Sequence, residues 1–453
     1  MKTVGFRSFA LYIVLIAFLG GVGWLLYGVI FHGGQWAMQP YNEHIYGSEA
    51  AVGMGDIADR EGVLLASTQE GKRVYSESET ARRALLHTVG DPAGYISTSV
   101  QYTMRTKLTG YNLITGLNET FFNQLGSTVN LTLDQDACVA AYNALNGHNG
   151  GAIFYNYKTG DILCKVSAPT FDPENQPEDI EENDAYKGVY LDNTLSGSFT
   201  PGSIFKLVTA AAAMEKWPDT WSQRTYECWE SEEIGGSNIT CMGTHGELDM
   251  AGALGNSCNL YFAKLANDLG AGALQKKAEQ MGFNQALEFG NIEIAESQAR
   301  LSGASSNQLG WAGVGQYTDL CNPYHMMVLM GAIANGGSYT QPRLTQGMDL
   351  FAGLAPGGGR DLVTEAEAVQ LKYMMRNNVE NYYGDYLFPE GMNVCAKTGT
   401  GEVGEEKAPN CWMVGFCDNS RYPIAFAVVV EESNSSIESA GGVVGAVLSE
   451  LAG

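Results

Sequence analysis

The longest apolar stretch of the chain lies near its N-terminus. The segment from Phe9 to Phe31, FALYIVLIAFLGGVGWLLYGVIF, carries no charge and is long enough, at helical rise, to cross a bilayer core of roughly 30 Å. Lys2 and Arg7 precede it, whereas HGGQWAMQPYNEHIYGSE, directly after it, contains no lysine or arginine. The pattern predicts an uncleaved anchor at 9–31, with residues 1–8 cytoplasmic and the remainder outside. A cleaved signal peptide, the alternative, would have an apolar core about half as long.

The residues that follow the anchor, 32–126, have a mixed pattern without visible chemistry. GVLLAST is typical of a strand, and SESETARRALLHTV is typical of a helix that begins at a capping serine. We interpret 32–126 as a linker and a small N-terminal pedestal.

From residue 127 the apolar spacing predicts one α+β domain, 127–453. TVNLTL alternates like a strand and leads into a helix that ends at Gly147, and GAIFYNYKTGDILCKVSAP predicts two strands joined by a Lys-Thr-Gly turn. Near the C-terminus, VCAKTGTG, CWMVGFC and YPIAFAVVVEE predict three more strands, and SAGGVVGAVLSELAG predicts a closing helix. Mostly helical stretches lie between these two groups. The pattern therefore favours an antiparallel sheet flanked by helices, with an all-helical subdomain inserted.

Charge and cysteine content narrow the possible partners. The chain has 26 Lys+Arg against 50 Asp+Glu, a formal charge of -24, which argues against nucleic acid. Its nine cysteines are an odd number, so an exported chain leaves at least one of them without an intramolecular partner. Cys228 and Cys241 lie in one segment and could form a disulfide. No cysteine has metal-ligand spacing with the six scattered histidines, so we predict no metal site and mostly small core cysteines.

Candidate chemistry begins in SFTPGSIFKLVTAAAAM. Pro201 and the alanine-rich run predict a helix that has Ser203 in its first turn and Lys206 one turn further on the same face. A serine hydroxyl is a poor nucleophile until a base removes its proton, and a desolvated lysine near another cation can be that base. Ser-x-x-Lys alone is a weak signal.

Two further motifs make the signal specific. LGNSCNLYFAKLA contains Ser-x-Asn, and VCAKTGTGE contains Lys-Thr-Gly. With Ser-x-x-Lys they resemble, in order and in predicted element, the signatures of the serine penicillin-recognising family. The resemblance runs from about residue 127 to the C-terminus, and GMGDIADREGVLLA is similar to the start of the extracytoplasmic part of its class B, monofunctional penicillin-binding proteins. The residues matched are Ser203, Lys206, Ser257, Asn259, Lys397, Thr398, Gly399 and Thr400.

A second copy of two of these motifs occurs in the chain. Lys158 to Gly160 is interpreted as a hairpin turn upstream of Ser203. Ser305 to Asn307 precedes a glycine-containing run rather than a clear helix, so Ser257 is preferred.

The resemblance implies a peptidoglycan D,D-transpeptidase that β-lactams acylate. Ser203 would attack the carbonyl between the two terminal D-alanines of a stem peptide, and Lys206 would accept its proton. Ser257 would relay protons to the leaving amine, and Asn259 would orient Lys206 and hold a substrate amide. Lys397 would keep Lys206 neutral and attract the terminal carboxylate.

The remaining roles also follow from the resemblance. Thr398 and Thr400 would offer hydroxyls to that carboxylate, with Gly399 between them. The backbone N–H groups of Ser203 and Thr400 would form the oxyanion hole.

The implied partners are stem peptides and lipid-linked precursors, with β-lactams as inhibitors, a SEDS-family glycan polymerase bound through the anchor, and no cofactor. A D,D-carboxypeptidase shares every motif. A class A β-lactamase would need an activating glutamate in a Glu-x-x-x-Asn-type loop after the Ser-x-Asn motif, and we identify no such loop. A non-catalytic, membrane-anchored scaffold or sensor is the other alternative, and it would be expected to lose a motif residue. The choice between division, elongation and sporulation stays open.

Overall fold

A computed structural model describes residues 2–37, 54–112, 116–117, 127–347, 359–404 and 407–453. The chain divides into two compact units. One unit comprises 1–57, 66–74 and 104–129, and the other comprises 58–65, 75–103 and 130–453.

The N-terminal segment is a helix, α1, Lys2–Ala37. Within it, Ser8–Val29 is apolar and long enough to cross a membrane, and every residue from Ser8 to Tyr27 is exposed. Among the described residues it is the one helix that meets both criteria. The helix predicted at 9–31 is therefore confirmed, and it extends beyond the apolar segment at both ends.

Short elements follow between residues 54 and 131. In chain order they are β1 Ile57–Ala58, β2 Leu64–Gln69, β3 Lys72–Tyr75, α2 Glu79–Val89, α3 Val100–Thr103, α4 Arg105–Leu108, β4 Tyr111–Asn112, β5 Gly116–Leu117 and β6 Val129–Asn130. The predicted strand and helix correspond to β2 and α2, and the Ser78 side chain caps α2 by accepting a hydrogen bond from Ala81 N at 3.3 Å. Residues 38–53, 113–115 and 118–126 of the predicted linker and pedestal lie outside the described residues.

The second unit is built on an antiparallel sheet. Among the described residues this sheet has five strands, in the order β13-β14-β15-β7-β8. Their bounds are β7 Gly150–Asn156, β8 Ile162–Ala168, β13 Val394–Gly401, β14 Asn410–Cys417 and β15 Ile424–Val430. These strands confirm the five that the apolar spacing predicts around the helical insertion. The predicted strand TVNLTL is shorter, because only Val129–Asn130 is extended in a ladder.

Helices cover both faces of this sheet. Tyr155 of β7 points at Gly331 of α11, Pro323–Ala334, where a Cβ would overlap the tyrosine hydroxyl. Met413 of β14 contacts Gly441 of α13, Ala440–Ala452, and the ladder registers place Met413 and Tyr155 on opposite faces. The helix α5, Gln135–Leu145, packs against α13. The sheet is therefore the middle layer of an α+β domain, which confirms the predicted fold class.

The insertion between β8 and β13 holds most of the remaining helices. They are α6 Lys206–Lys216, α7 Met250–Gly255, α8 Asn259–Leu269, α9 Ala271–Gln280, α10 Ser306–Val314, α11 and α12 Glu365–Asn378. It also contains two hairpins, so it is not all-helical: β9 Tyr226–Ile234 with β10 Ser237–Leu248, and β11 Leu287–Phe289 with β12 Ile292–Ile294. The β9–β10 strands expose most of their side chains, so they lack the apolar alternation that predicts strands. A local signal for this hairpin is the pair Gly235-Gly236, which forms the turn between the two strands and has positive φ at both residues.

Candidate active site

Ser203 lies where a helix starts against the end of the sheet. It belongs to a 3-10 turn, Gly202–Phe205, that leads directly into α6, so the predicted position in a first helical turn is correct except that the turn is 3-10. Gly202 has φ +54, and its N–H donates to Gly315 O at 2.9 Å. A Cβ on Gly202 would overlap Thr400 O. Only glycine allows this approach, which holds Ser203 next to the end of β13.

Lys206 is fully buried one turn beyond Ser203. Its Nζ donates to Asn259 Oδ1 at 2.8 Å, to Ser257 O at 2.6 Å and to Ser257 Oγ at 3.3 Å. Within the described residues no hydrogen bond joins Lys206 Nζ to Ser203 Oγ. The spacing of the two residues had predicted that these atoms lie within hydrogen-bond reach. Burial, together with the positive charge of Lys397, holds the pKa of Lys206 well below its usual range. The amine is thus prepared to accept a proton.

Ser257 connects the two buried lysines. It lies in the loop between α7 and α8 with φ +53, in the left-handed region that few serines adopt. Its Oγ accepts from Lys206 Nζ at 3.3 Å and from Lys397 Nζ at 3.1 Å. Asn259, at the start of α8, donates through Nδ2 to Thr240 O at 3.0 Å, which aims its Oδ1 at Lys206. The loop conformation therefore sets the geometry of this hydrogen-bond network.

The Lys-Thr-Gly segment lies on β13, which pairs on one side with β14. Lys397 is fully buried, and burial lowers its pKa to about 7. Gly399 packs against Ile204, beside the Ser203 turn, and Thr400 is exposed at the strand end. The structure thus brings the eight predicted residues together where the Ser203 turn meets the end of β13 and the Ser257 loop. Direct hydrogen bonds join Lys206, Ser257, Asn259 and Lys397 within this site.

Three supporting residues were not predicted from the sequence. Tyr383 accepts from Lys397 Nζ at 3.5 Å and from Thr398 N at 3.3 Å, and Gln316 Nε2 donates to Thr400 O at 2.9 Å. Ser436 Oγ donates to Gly399 O at 2.6 Å. Tyr383 ends a π-helical turn, Val379–Tyr383, a form that often marks functional sites but leaves no pattern in the sequence.

The family model of the penicillin binding protein transpeptidase domain matches residues 150–452. The chain belongs to this family. Peptidoglycan D,D-transpeptidase PbpA of Mycolicibacterium smegmatis is 25% identical over 420 residues, which cover 82% of this chain and 84% of that relative.

Solved structures of penicillin-binding proteins have the same fold. Penicillin-binding protein A from M. tuberculosis, as its penicillin G acyl-enzyme complex, aligns with a TM-score of 0.73 at 24% identity, covering 88% of this chain and 99% of that one. The D,D-transpeptidase domain of a peptidoglycan glycosyltransferase from Eggerthella lenta aligns with a TM-score of 0.70 at 24% identity and the same coverage.

The second copies of the motifs lie outside the candidate active site of this penicillin-binding protein. Lys158 to Gly160 form the β7–β8 turn, as predicted, and Lys158 Nζ donates to Asn335 Oδ1 at 2.7 Å. Ser305 caps α10 with a capping box, so the prediction that no clear helix follows it is wrong. Asn307 Nδ2 donates to two carbonyls of the β9–β10 hairpin.

The structure also locates Trp412 and the nine cysteines. Trp412 is fully buried, and its Nε1 donates to Thr200 O at 2.9 Å, so it is part of the packing between β14 and the Ser203 turn. All nine cysteines are among the described residues and all are free thiols, so the Cys228–Cys241 disulfide is not formed. The sequence predicted no metal site, yet three cysteines and one histidine meet beside the Ser257 loop: Cys228, Cys241, His245 and Cys258.

Proposed function

We propose that this chain is a serine-type peptidoglycan D,D-transpeptidase that β-lactams acylate at Ser203. The observation that carries the proposal is the network in which Ser257 Oγ accepts from both Lys206 and Lys397 while Asn259 holds Lys206. Membership of the family and the likeness to D,D-transpeptidases support it.

The first step is attack by Ser203 Oγ on the carbonyl carbon of the bond between the two terminal D-alanines. As the O–C bond forms, the hydroxyl proton passes to Lys206 Nζ, which burial favours in its neutral form. Negative charge develops on the carbonyl oxygen, and the N–H groups of Ser203 and Thr400 are the donors we assign to it.

The second step breaks the C–N bond. The leaving D-alanine nitrogen takes a proton from Ser257 Oγ. Ser257 Oγ then takes the proton that Lys206 Nζ accepted in the first step. The hydroxyls of Thr398 and Thr400 bind the terminal carboxylate, which the positive charge of Lys397 attracts. An ester on Ser203 and free D-alanine result, and a lactam that acylates Ser203 opens its ring in the same way.

The third step determines which product the enzyme releases. An amine of a neighbouring stem peptide attacks the Ser203 ester and passes its proton back through Ser257 and Lys206, which restores the enzyme and forms the cross-link. Water in place of that amine would make the enzyme a D,D-carboxypeptidase.

The N-terminal helix supports a membrane-anchored arrangement. We propose that Ser8–Val29 spans the membrane, with the cytoplasmic end marked by Lys2 and Arg7 and the catalytic domain outside. The lipid-linked precursors and the SEDS-family polymerase rest on the family resemblance alone.

The test is intact mass of the detergent-solubilised full-length chain after incubation with penicillin G. We expect one adduct on the wild type and on Ser305→Ala, and none on Ser203→Ala. An adduct on Ser203→Ala would assign the nucleophile elsewhere, and rapid penicillin hydrolysis without an adduct would favour a β-lactamase.

Acceptor choice needs a second assay with a pentapeptide stem and an amine acceptor. Cross-linked product in excess of released tetrapeptide supports the transpeptidase. Tetrapeptide alone would assign the carboxypeptidase activity, and neither product together with no penicillin adduct would favour the scaffold.

A further inference from the structure

A cluster of metal-binding side chains lies beside the active site and takes no part in the proposed mechanism. Cys228 and Cys241 come from strands β9 and β10, His245 from β10, and Cys258 from the loop before α8. Their ligand atoms all lie within 4.8 Å of one another. Cys228 and Cys258 are fully buried, and the other two are half-buried.

Three of the six separations between ligand atoms match those of a tetrahedral zinc site. His245 Nδ1 lies 3.4 Å from Cys228 Sγ and 3.6 Å from Cys241 Sγ, and the Cys241 and Cys258 sulfurs are 3.9 Å apart. A Zn²⁺ with bonds of about 2.3 Å to sulfur and about 2.1 Å to nitrogen holds S···N pairs about 3.6 Å apart and S···S pairs about 3.8 Å apart. A disulfide would instead need its sulfurs about 2.05 Å apart.

Backbone donors are in place to stabilise thiolates. Asn259 N–H donates to Cys241 Sγ at 3.2 Å, and Tyr261 N–H donates to Cys258 Sγ at 3.4 Å, so both come from the first turn of α8. Hydrogen bonds of this kind orient metal ligands and stabilise their negative charge.

The hairpin is shaped around the ligands. Its register shifts between Thr240 and Thr244 and again between Thr244 and Gly246, and these two irregularities contain Cys241 and His245. Both strands are fully described, and only Cys228 and Ile239 are buried in them. A two-stranded hairpin with so little core is marginally stable by itself, so its stability depends on contacts with the rest of the domain.

We propose that Cys228, Cys241, His245 and Cys258 bind one Zn²⁺ in a closed structural site that fastens the β9–β10 hairpin to the Ser257 loop. The four protein ligands fill the tetrahedron, so the ion has no open position for substrate. Cys258 stands between Ser257 and Asn259 in the chain, and Ser257 adopts the left-handed conformation. The zinc therefore positions Ser257 and Asn259 against Lys206 without taking part in the chemistry.

The first experiment measures metal content of the full-length chain, purified in detergent without chelators, by inductively coupled plasma mass spectrometry. We expect one zinc per chain in the wild type and in Cys138→Ser, which removes a buried thiol outside the cluster, and at least a tenfold lower zinc content in Cys228→Ser. Equal zinc in Cys228→Ser and the wild type, or a Cys228–Cys241 disulfide in the alkylated wild type, would overturn the site.

A second measurement does not depend on a variant folding. Thiol modification of the wild type by a mercurial should release one zinc, detected with a colorimetric chelator, and cobalt-substituted protein should show thiolate-to-cobalt charge-transfer absorption. Absence of both signals would overturn the site.

The positioning role has its own readout. We expect zinc removal to lower the melting temperature and to slow acylation by penicillin G at least tenfold, and we expect added zinc to restore both. Unchanged acylation after complete zinc removal would overturn the positioning role and leave the metal site in place. Zinc content is measured without substrate, so failure of the proposed transpeptidase activity would not be mistaken for failure of this site.

Discussion

The two Lys-Thr-Gly segments have the same three residues and different surroundings. Lys158 is exposed in the turn between β7 and β8, where its amine donates to Asn335. Lys397 is fully buried on β13, where its amine donates to Ser257 and burial lowers its pKa to about 7. The motif thus acquires chemistry from the place to which the fold brings it.

The two Ser-x-Asn segments differ in the same way. Ser305 caps a helix and Asn307 holds the β9–β10 turn, whereas Ser257 and Asn259 both bond to Lys206. Each copy outside the candidate active site is therefore a matched control for the copy within it.

The largest expected effect contrasts the two lysines. Lys397→Ala should slow acylation by penicillin G about 1000-fold, because it removes the charge that binds the carboxylate and keeps Lys206 neutral. Lys158→Ala should change the rate less than twofold. Stopped-flow or quenched mass spectrometry gives both rates, and a similar loss in the two variants would abolish the distinction between the motif copies.

The second-largest expected effect contrasts Asn259 with Asn307. Asn259→Ala should slow acylation about 100-fold, because Lys206 loses the acceptor at 2.8 Å that orients it. Asn307→Ala should leave the rate within about twofold and lower the melting temperature instead, since it frees two hairpin carbonyls. Acylation rates with thermal melts separate these outcomes. The opposite ranking would show that the wrong copy was chosen.

The third effect is a pH dependence. Lys397 carries its charge below its pKa of about 7 and loses it above, so the second-order acylation rate should fall roughly tenfold from pH 6.5 to 8.0. Lys397→Arg keeps the charge, so its rate, though lower, should be flat over that range. A wild-type rate that rises with pH across this range would contradict the requirement for charged Lys397.

The smallest expected effect concerns Tyr383, whose hydroxyl accepts from Lys397 Nζ. Tyr383→Phe should slow acylation about threefold to tenfold, because Lys397 and the Thr398 backbone lose a shared acceptor. Tyr386→Phe, at an exposed tyrosine nearby in sequence, is the control and should leave the rate unchanged. Equal rates in the wild type and Tyr383→Phe would remove Tyr383 from the site.

The sheet could be predicted, and the eight candidate site residues could be proposed, because each depends on local information. Buried strands such as β14 and β15 are continuous apolar runs, and each motif is a few residues long. Gly202 before Ser203 is likewise visible in the sequence, although the need for φ +54 beside Thr400 appears only in the fold.

The contacts that assemble the site are long-range and leave no such pattern. Lys206 and Asn259 are 53 residues apart, Ser257 and Lys397 are 140 residues apart, and Tyr383 joins them from a π-helical turn. The β9–β10 hairpin was missed because its side chains are mostly exposed, and with it the approach of Cys228 and Cys241 to Cys258.

The sequence by itself determined the apolar N-terminal helix, the α+β layout and the family, because hydrophobic spacing and short motifs are properties of neighbouring residues. The sequence favoured one copy of each repeated motif, but only the tertiary structure decided which hydrogen bonds join those copies to Lys206. It alone also decided that three cysteines and a histidine lie together. The physical reason is that both features need burial and contact between distant segments. A lysine loses its proton easily only where it is removed from water, and a thiol gains further metal-binding partners only where folding brings them close.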